Sequence, residues 1–447
     1  MNIRLFNARI LTMEENQPIF FGEIHIKDEL ITYVGEEIAG RARNDDGRAR
    51  NDDGRTSNDD GRVRNDGGWE REIDCLGNLV MPGFKNAHSH SGMTVLRSHA
   101  DDLPLADWLH NQVFPIEDKL TDEDVYHLTK LAILEYLTSG VTAIFEMYLT
   151  PETIATACQD MGMRCVQVGA ANNFGTTPKR VAELYEKLNN VHPLCGYHLG
   201  FHAEYTCSES LLLEMVELSK HFKAPIFTHL SETKDETEGC KERHNGLTPA
   251  AYLNSLGIFD YGGGGYHCVH VTADDIEIFR AKGLTAVTNP ASNLKLASGI
   301  APVSDFLKAG VPVAIGTDGP ASNNCLDMFR EMFLVTGLAK VRENDAAAVP
   351  AMDVLRMASV NGAKCMGHNK ATSLSPGNYA DLIMLDLNQP NMQPLNNIAN
   401  NIVYSGSKLN VLMTMIHGRV LYEKGEFKVG NAGEIYRKAN EIINRVK

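Results

Sequence analysis

With 447 residues the chain is long enough for one large α/β barrel with additions, or for two to three ordinary domains. Its formal net charge of −15 argues against a nucleic-acid or anionic-membrane partner. No run approaches the ~18 uninterrupted apolar residues of a membrane span, and nine cysteines without CxxC spacing suit free thiols in a reducing cytoplasm rather than a cysteine-ligated zinc deaminase.

The first forty residues alternate short β-type runs (Ile3–Ala8, Ile24–Lys27, Leu30–Val34) with turn residues, which predicts a small sheet. Met1 to Asn7 reads as a strand without a signal-peptide layout, so a cytoplasmic location is expected. Residues 41–68 then repeat a seven-residue unit of the type Arg41-Ala42-Arg43-Asn44-Asp45-Asp46-Gly47. No position carries a hydrophobic pair, which excludes a coiled coil. Its seven arginines and seven aspartates cancel, and it has almost nothing to bury against its chain entropy. A mobile surface loop is predicted; a calcium-loop reading lacks the required ligand spacing.

From Leu79 the pattern becomes β-runs separated by amphipathic stretches such as Asp122–Leu137, Ser208–His221 and Thr272–Lys282. Eight runs are predicted as strands, ending at His90, Glu146, Gly169, His202, His229, His267, Asn289 and Asp318. This is the alternation of a (β/α)8 barrel, whose chemistry sits at strand C-termini. After about Pro376, β-like runs return (Ala380–Leu385, Val411–Met415, Gly418–Tyr422), followed by a helix from Ala432 to Lys447. The expected organisation is a barrel over 81–375 and a small composite β-sandwich from 1–80 and 376–447, because chain termini tend to lie close together.

Three strand ends supply the four ligands of one metal site. His88 and His90 share a face of an extended strand, His229 closes the fifth run and Asp318 the eighth. Three imidazoles and a carboxylate suit one divalent ion, Zn²⁺ or Fe²⁺, rather than Mg²⁺ or Ca²⁺, and such an ion acidifies water. Glu232, three residues after His229, is the candidate proton carrier; the bland alternative is a solvated carboxylate at a helix start. His267 ends the sixth run, where it can hold water or polarise the substrate. His270 reads as structural, and His99, His110, His127, His198 and His221 have no partner pattern.

These residues sit in motifs that make the chain resemble the amidohydrolase superfamily, in particular its methylthioadenosine/S-adenosylhomocysteine deaminase and s-triazine hydrolase group. They include Pro82-Gly83 before His88-Ser89-His90, Phe114-Pro115-Ile116-Glu117, His202-Ala203-Glu204-Tyr205-Thr206, His229-Leu230-Ser231-Glu232-Thr233, Asn289-Pro290-Ala291-Ser292-Asn293 and Gly316-Thr317-Asp318-Gly319. The resemblance implies a mononuclear site held by His88, His90, His229 and Asp318, with Glu232 as proton shuttle and His267 as activator. Activated water would replace the exocyclic amine of an adenosine-type nucleoside. It further implies that Glu117 binds ribose hydroxyls, that His202 and Ser322 contact the nucleoside, and that homo-oligomers are common. The arginine expected after the third strand for a homocysteine carboxylate is missing, with Gly169 near its place.

Other readings remain at this point: an amino- or chloro-hydrolase of guanine, a pterin or a triazine, or a barrel scaffold without catalysis. Glu117 favours ribose, because a free base would leave that carboxylate unpaired. The full set of candidate ligands favours catalysis over a scaffold.

Overall fold

A computed structural model describes residues 1–36, 68–99, 101–103 and 108–447, without the side chains of Leu109 and His110. The loop expected over 41–68 therefore lies outside the described residues, Gly68 apart.

The chain opens with five strands of a mixed sheet: β1 (Asn2–Ile10), β2 (Phe20–Lys27), β3 (Leu30–Gly35), β4 (Arg71–Asp74) and β5 (Leu79–Pro82). Eight barrel strands follow: β6 (Phe84–Ser89), β7 (Val141–Glu146), β8 (Arg164–Val168), β9 (Cys195–Ala203), β10 (Ile226–Leu230), β11 (Gly263–His267), β12 (Thr285–Thr288) and β13 (Val313–Ile315). Four more complete the first sheet: β14 (Leu382–Leu385), β15 (Val411–Ile416), β16 (Arg419–Glu423) and β17 (Glu426–Phe427). That sheet runs β17-β16-β15-β14-β5-β1-β2-β3, with β4 beside β1, so it is built from both chain ends as expected. Its aliphatic face gathers Ile3, Leu5, Ile24, Ile26, Val80, Leu382, Met384 and Met413.

The barrel strands are parallel neighbours in sequence order. The ring closes where the amides of Thr317 and Asp318, just past β13, donate to the His88 carbonyl in β6 at 3.2 and 3.0 Å. Strands β6, β7 and β8 are buried along their whole length. Burial on both faces is why β7 reads as a near-continuous apolar run rather than an alternation, whereas β6 and β8 also bury Lys85, Asn86, Arg164 and Gln167. The layer beneath the strand ends holds Phe145, Phe227, Tyr266, Val166 and Val287.

One expectation is corrected. The run from Leu79 to His90 is two strands, because the chain leaves the end sheet at Pro82 and enters the barrel at Phe84. Three of the amphipathic stretches become helices that start at side-chain caps. Thr121 and Thr272 form capping boxes with Asp124 and Asp275, and Ser208 accepts from the Leu211 amide.

A buried ion pair joins barrel to end sheet. Arg164 in β8 donates to both carboxylate oxygens of Asp381, at 2.6 and 3.1 Å, and lies over the Tyr379 ring. The C-terminal helix (Ala432–Val446) packs Ile442 and Val446 against Trp108, Val113 and Leu128, bracing the segment that carries Glu117.

Candidate metal and catalytic site

His88 is fully buried at the end of β6, and its ring stacks on Tyr266 at 3.9 Å. His90 lies one residue beyond the strand, so the two imidazoles meet edge to face, 4.7 Å apart at 83°, rather than side by side. The Nε2 atoms of His88 and His90 stand 3.4 and 3.1 Å from Asp318 Oδ1. His229 closes on the same centre, its ring 4.9 Å from that of His88 and 5.6 Å from that of His90. Two overlapping groups result, His88–His90–Asp318 and His88–His229–His267, each with donor atoms within 4.8 Å of one another. His267, expected as an activator, thus stands within ligand range of His88 and His229.

Neighbouring groups set which nitrogen each imidazole presents. His90 Nδ1 donates to the Met147 carbonyl, and His229 Nδ1 donates to the His202 carbonyl at 2.7 Å. In both rings Nε2 is therefore the nitrogen turned to the centre, the arrangement of metal-ligating histidines whose other nitrogen is fixed. Neither His88 nitrogen has a hydrogen-bond partner. A buried imidazole with nothing to bond is costly unless an electrophile fills the gap. Burial also pushes the pKa of His88 down to about 3 and that of His229 well below its ordinary value, so both are neutral donors. Burial raises Asp318, but the His88 and His90 imidazoles that face its Oδ1 at 3.4 and 3.1 Å outweigh it and hold the carboxyl well below the usual range. The donor set fits a divalent metal of the Zn²⁺ type.

Asp318 is fixed on its far side as well. Its Oδ2 accepts from Ser292 at 2.6 Å and from Ser322 at 2.7 Å, and all three residues are buried. Ser322, expected to touch the nucleoside, thus has its hydroxyl proton committed to Asp318. Three strand ends carry left-handed backbone at non-glycine residues: Ser231 (φ 52°), His267 (71°) with Cys268 (50°), and Asp318 (60°). Such conformations cost about 1–3 kcal/mol each and persist only where the surroundings enforce them.

Glu232 follows β10 with its side chain 13 % exposed and Oε1 3.8 Å from His267 Nδ1. Burial raises its pKa, His267 opposes, Asp318 adds and His90 opposes; the net shift is upward, which favours the protonated form. The turn that aims it is bound by a residue absent from the sequence reading. Glu236 accepts the amides of Ser231 and Glu232 at 2.7 and 2.8 Å. His267 Nδ1 donates to Asn293 Oδ1 at 2.7 Å, which leaves its Nε2 as the free nitrogen.

Glu117 is half-buried, and its Oε1 accepts from the Tyr148 hydroxyl at 2.6 Å. Burial pushes its pKa up against that bond. His202 lies beside His229, ring centroids 4.9 Å apart, and burial lowers its pKa to about 4. Among the residues read as structural, His270 bonds the Ser298 carbonyl at 2.7 Å and His198 the Met366 carbonyl at 3.3 Å.

The amidohydrolase family model matches residues 79–421. A 5-methylthioadenosine/S-adenosylhomocysteine deaminase of Thermoanaerobacter pseudethanolicus is 36 % identical over 463 aligned residues, covering 100 % of both chains. The chain belongs to the amidohydrolase family. An adenosine deaminase from Xanthomonas campestris solved with bound zinc superposes at a TM-score of 0.89 with 28 % identity, over 100 % of this chain and 98 % of that one. An atrazine chlorohydrolase from Arthrobacter aurescens, at 19 % identity and a TM-score of 0.86, covering 99 % of this chain and 100 % of its own, shares the fold.

In this amidohydrolase several of the groups that fix the site carry no sequence signature of their own, although Ser322 was already among the expected site residues. Backbone carbonyls orient His90 and His229, and two serines orient Asp318. Ser292 and Asn293 do lie in the motif that follows the seventh strand, which was the available signal.

Proposed function

We propose that the chain deaminates an adenosine-type nucleoside hydrolytically, releasing ammonia and the inosine analogue. The observation that carries this is the convergence of His88, His90, His229, His267 and Asp318 on one centre with the Glu232 carboxylate at its edge. Full-length relatives named as deaminases of methylthioadenosine and S-adenosylhomocysteine support the substrate class.

His88, His90, His229 and Asp318 would hold one divalent ion, zinc by the donor set and by the zinc-bound relative. Such an ion supplies an acidified water molecule near neutral pH. Glu232 takes the proton of the attacking water and then delivers it to the amine nitrogen, which leaves as ammonia while the ring carbon keeps the oxygen. His267, its Nδ1–H given to Asn293, offers Nε2 to hold that water. Glu117 has one oxygen on Tyr148 and the other open for ribose hydroxyls. His202 and Ser322 line the nucleoside side, Ser322 acting chiefly through Asp318.

Methylthioadenosine or adenosine is favoured over S-adenosylhomocysteine. At Gly169 a Cβ would meet the Gly200 carbonyl oxygen at 2.8 Å and Val181 at 2.9 Å, so no cationic side chain fits there. Arg180, a nearby replacement, is engaged by Glu152 at 2.5 Å. A carboxylate without a cation is costly to desolvate. An ammonia-release screen over adenosine, methylthioadenosine, S-adenosylhomocysteine, guanine and triazines, with metal analysis of the same sample, tests the reading. Release from guanine or triazines alone would overturn it.

A further inference from the structure

His90 and His229 each give their Nδ1–H to a backbone carbonyl, yet His88, the most buried of the three, gives its own to nothing. Its Nε2 faces Asp318 Oδ1 at 3.4 Å, so Nδ1 is on the other side of the ring. A second side chain close by is equally unmatched. Asn289 is 0 % exposed, and neither Oδ1 nor Nδ2 of its amide has a partner. It sits at the N-cap of the helix Pro290–Lys295, where an asparagine ordinarily bonds the first free amides, but its side chain makes no capping bond. Capping therefore does not explain it.

Gly316 explains how the two can meet. A Cβ on Gly316 would lie 2.4 Å from Asn289 Oδ1, 2.7 Å from His88 Cβ and 2.8 Å from the His88 amide nitrogen. Asn289 Oδ1 and His88 thus border the same small space between β12 and β6, and it is open only because residue 316 has no side chain. Four orphaned buried polar atoms belong to this one pair. Orphans of this kind are rare and call for a partner, and the simplest assignment satisfies two sites at once.

We infer that Asn289 is a positioning residue for His88: across Gly316, its Oδ1 is the acceptor that takes up the Nδ1–H, unbonded in this structure, when the centre holds its metal, and keeps the ring with Nε2 toward it. The inference rests on His88 being a metal ligand, as proposed above. Asn289 then does for His88 what the Met147 and His202 carbonyls do for His90 and His229, and it fixes the tautomer that can ligate.

The test is zinc affinity, measured by competition with a chelator on the full chain, for the parent and for Asn289→Ala, Asn289→Leu and Asn289→Asp. Loss of an outer hydrogen-bond partner typically costs about 10–100-fold in metal affinity, so Ala and Leu raise the zinc Kd by that factor. Asp, which keeps an acceptor, stays within about threefold of the parent. The absorption spectrum of the cobalt-loaded Ala variant shifts, and the thermal midpoint of the metal-free protein does not fall with it. Gly316→Ala, which closes the gap, gives the same weakening. Parent-like zinc affinity and cobalt spectrum in Ala and Leu would overturn the inference. So would equal losses in Ala and Asp accompanied by a matching drop in metal-free stability. A parent that binds no zinc at all would instead remove the metal reading beneath it.

Discussion

Ser322→Ala separates two roles for one hydroxyl. Ser322 and Ser292 donate to the same oxygen of Asp318 at 2.7 and 2.6 Å, and both are buried where no bulk water can replace them. A hydrogen bond to a charged acceptor is worth about 1.5–3 kcal/mol, which is about 10–150-fold in an equilibrium constant. The remaining serine still holds the carboxylate, so each single variant should fall at the lower end, about tenfold weaker zinc binding. The double variant should lose more than the sum of the two, because the second removal leaves Oδ2 unpaired. Zinc Kd by chelator competition, and kcat and KM on adenosine and methylthioadenosine, are the readouts. If Ser322 acts through Asp318, Ser322→Ala tracks Ser292→Ala and the ratio of KM between substrates does not move. Parent zinc affinity with a substrate-dependent rise in KM would refute the positioning role and restore Ser322 as a direct nucleoside contact.

Glu232→Gln should keep its zinc and lose about 10²–10⁴-fold in kcat, the range for a general acid/base; near-parent turnover would exclude it as the proton carrier. Glu117→Ala should weaken nucleosides far more than free purine bases in steady-state assays, and equal losses on both would refute the ribose assignment. Asp381→Ala strands the buried Arg164 cation and should cost about 3–5 kcal/mol in denaturant unfolding, with the Arg164→Met/Asp381→Leu double variant recovering most of it. Burial raises the pKa of Asp381 but Arg164 outweighs it, so the folded value lies below the usual 3.8. A depressed carboxyl stabilises above its unfolded pKa and loses that stabilisation as pH falls through the folded one, so the gap between parent and variant should close in acid, below about pH 4. A gap that persists undiminished would contradict the ion-pair account.

The barrel was legible because its strands are buried on both faces and end in residues that carry chemistry. His229 and Asp318 each close an apolar run, whereas His90 follows a strand containing Lys85 and Asn86 and His267 follows a run of glycines. The break at Gly83 was hidden, since β5 and β6 are both continuously buried and hydrophobic pattern does not tell one sheet from another. The short pairings of β4 and β17 at the sheet were hidden too, their four and two residues being too few to show a period. At the site, residue type exposed the candidate ligands but not what aims them. Met147 and His202 act through backbone carbonyls, which any residue supplies. Glu236 lies four residues after Glu232 in a helix rich in charge and reads there as a solvated side chain, although its carboxylate closes the turn that presents Glu232.

The most direct test of the account is metal content measured together with deamination of methylthioadenosine, on the parent chain and on His88→Ala, His229→Ala and Asp318→Ala. The parent should carry one zinc or iron per chain, lose activity when a chelator strips it and regain it on zinc addition, while each variant loses both metal and turnover. A fully active, metal-free parent, or variants that retain parent metal content, would contradict it.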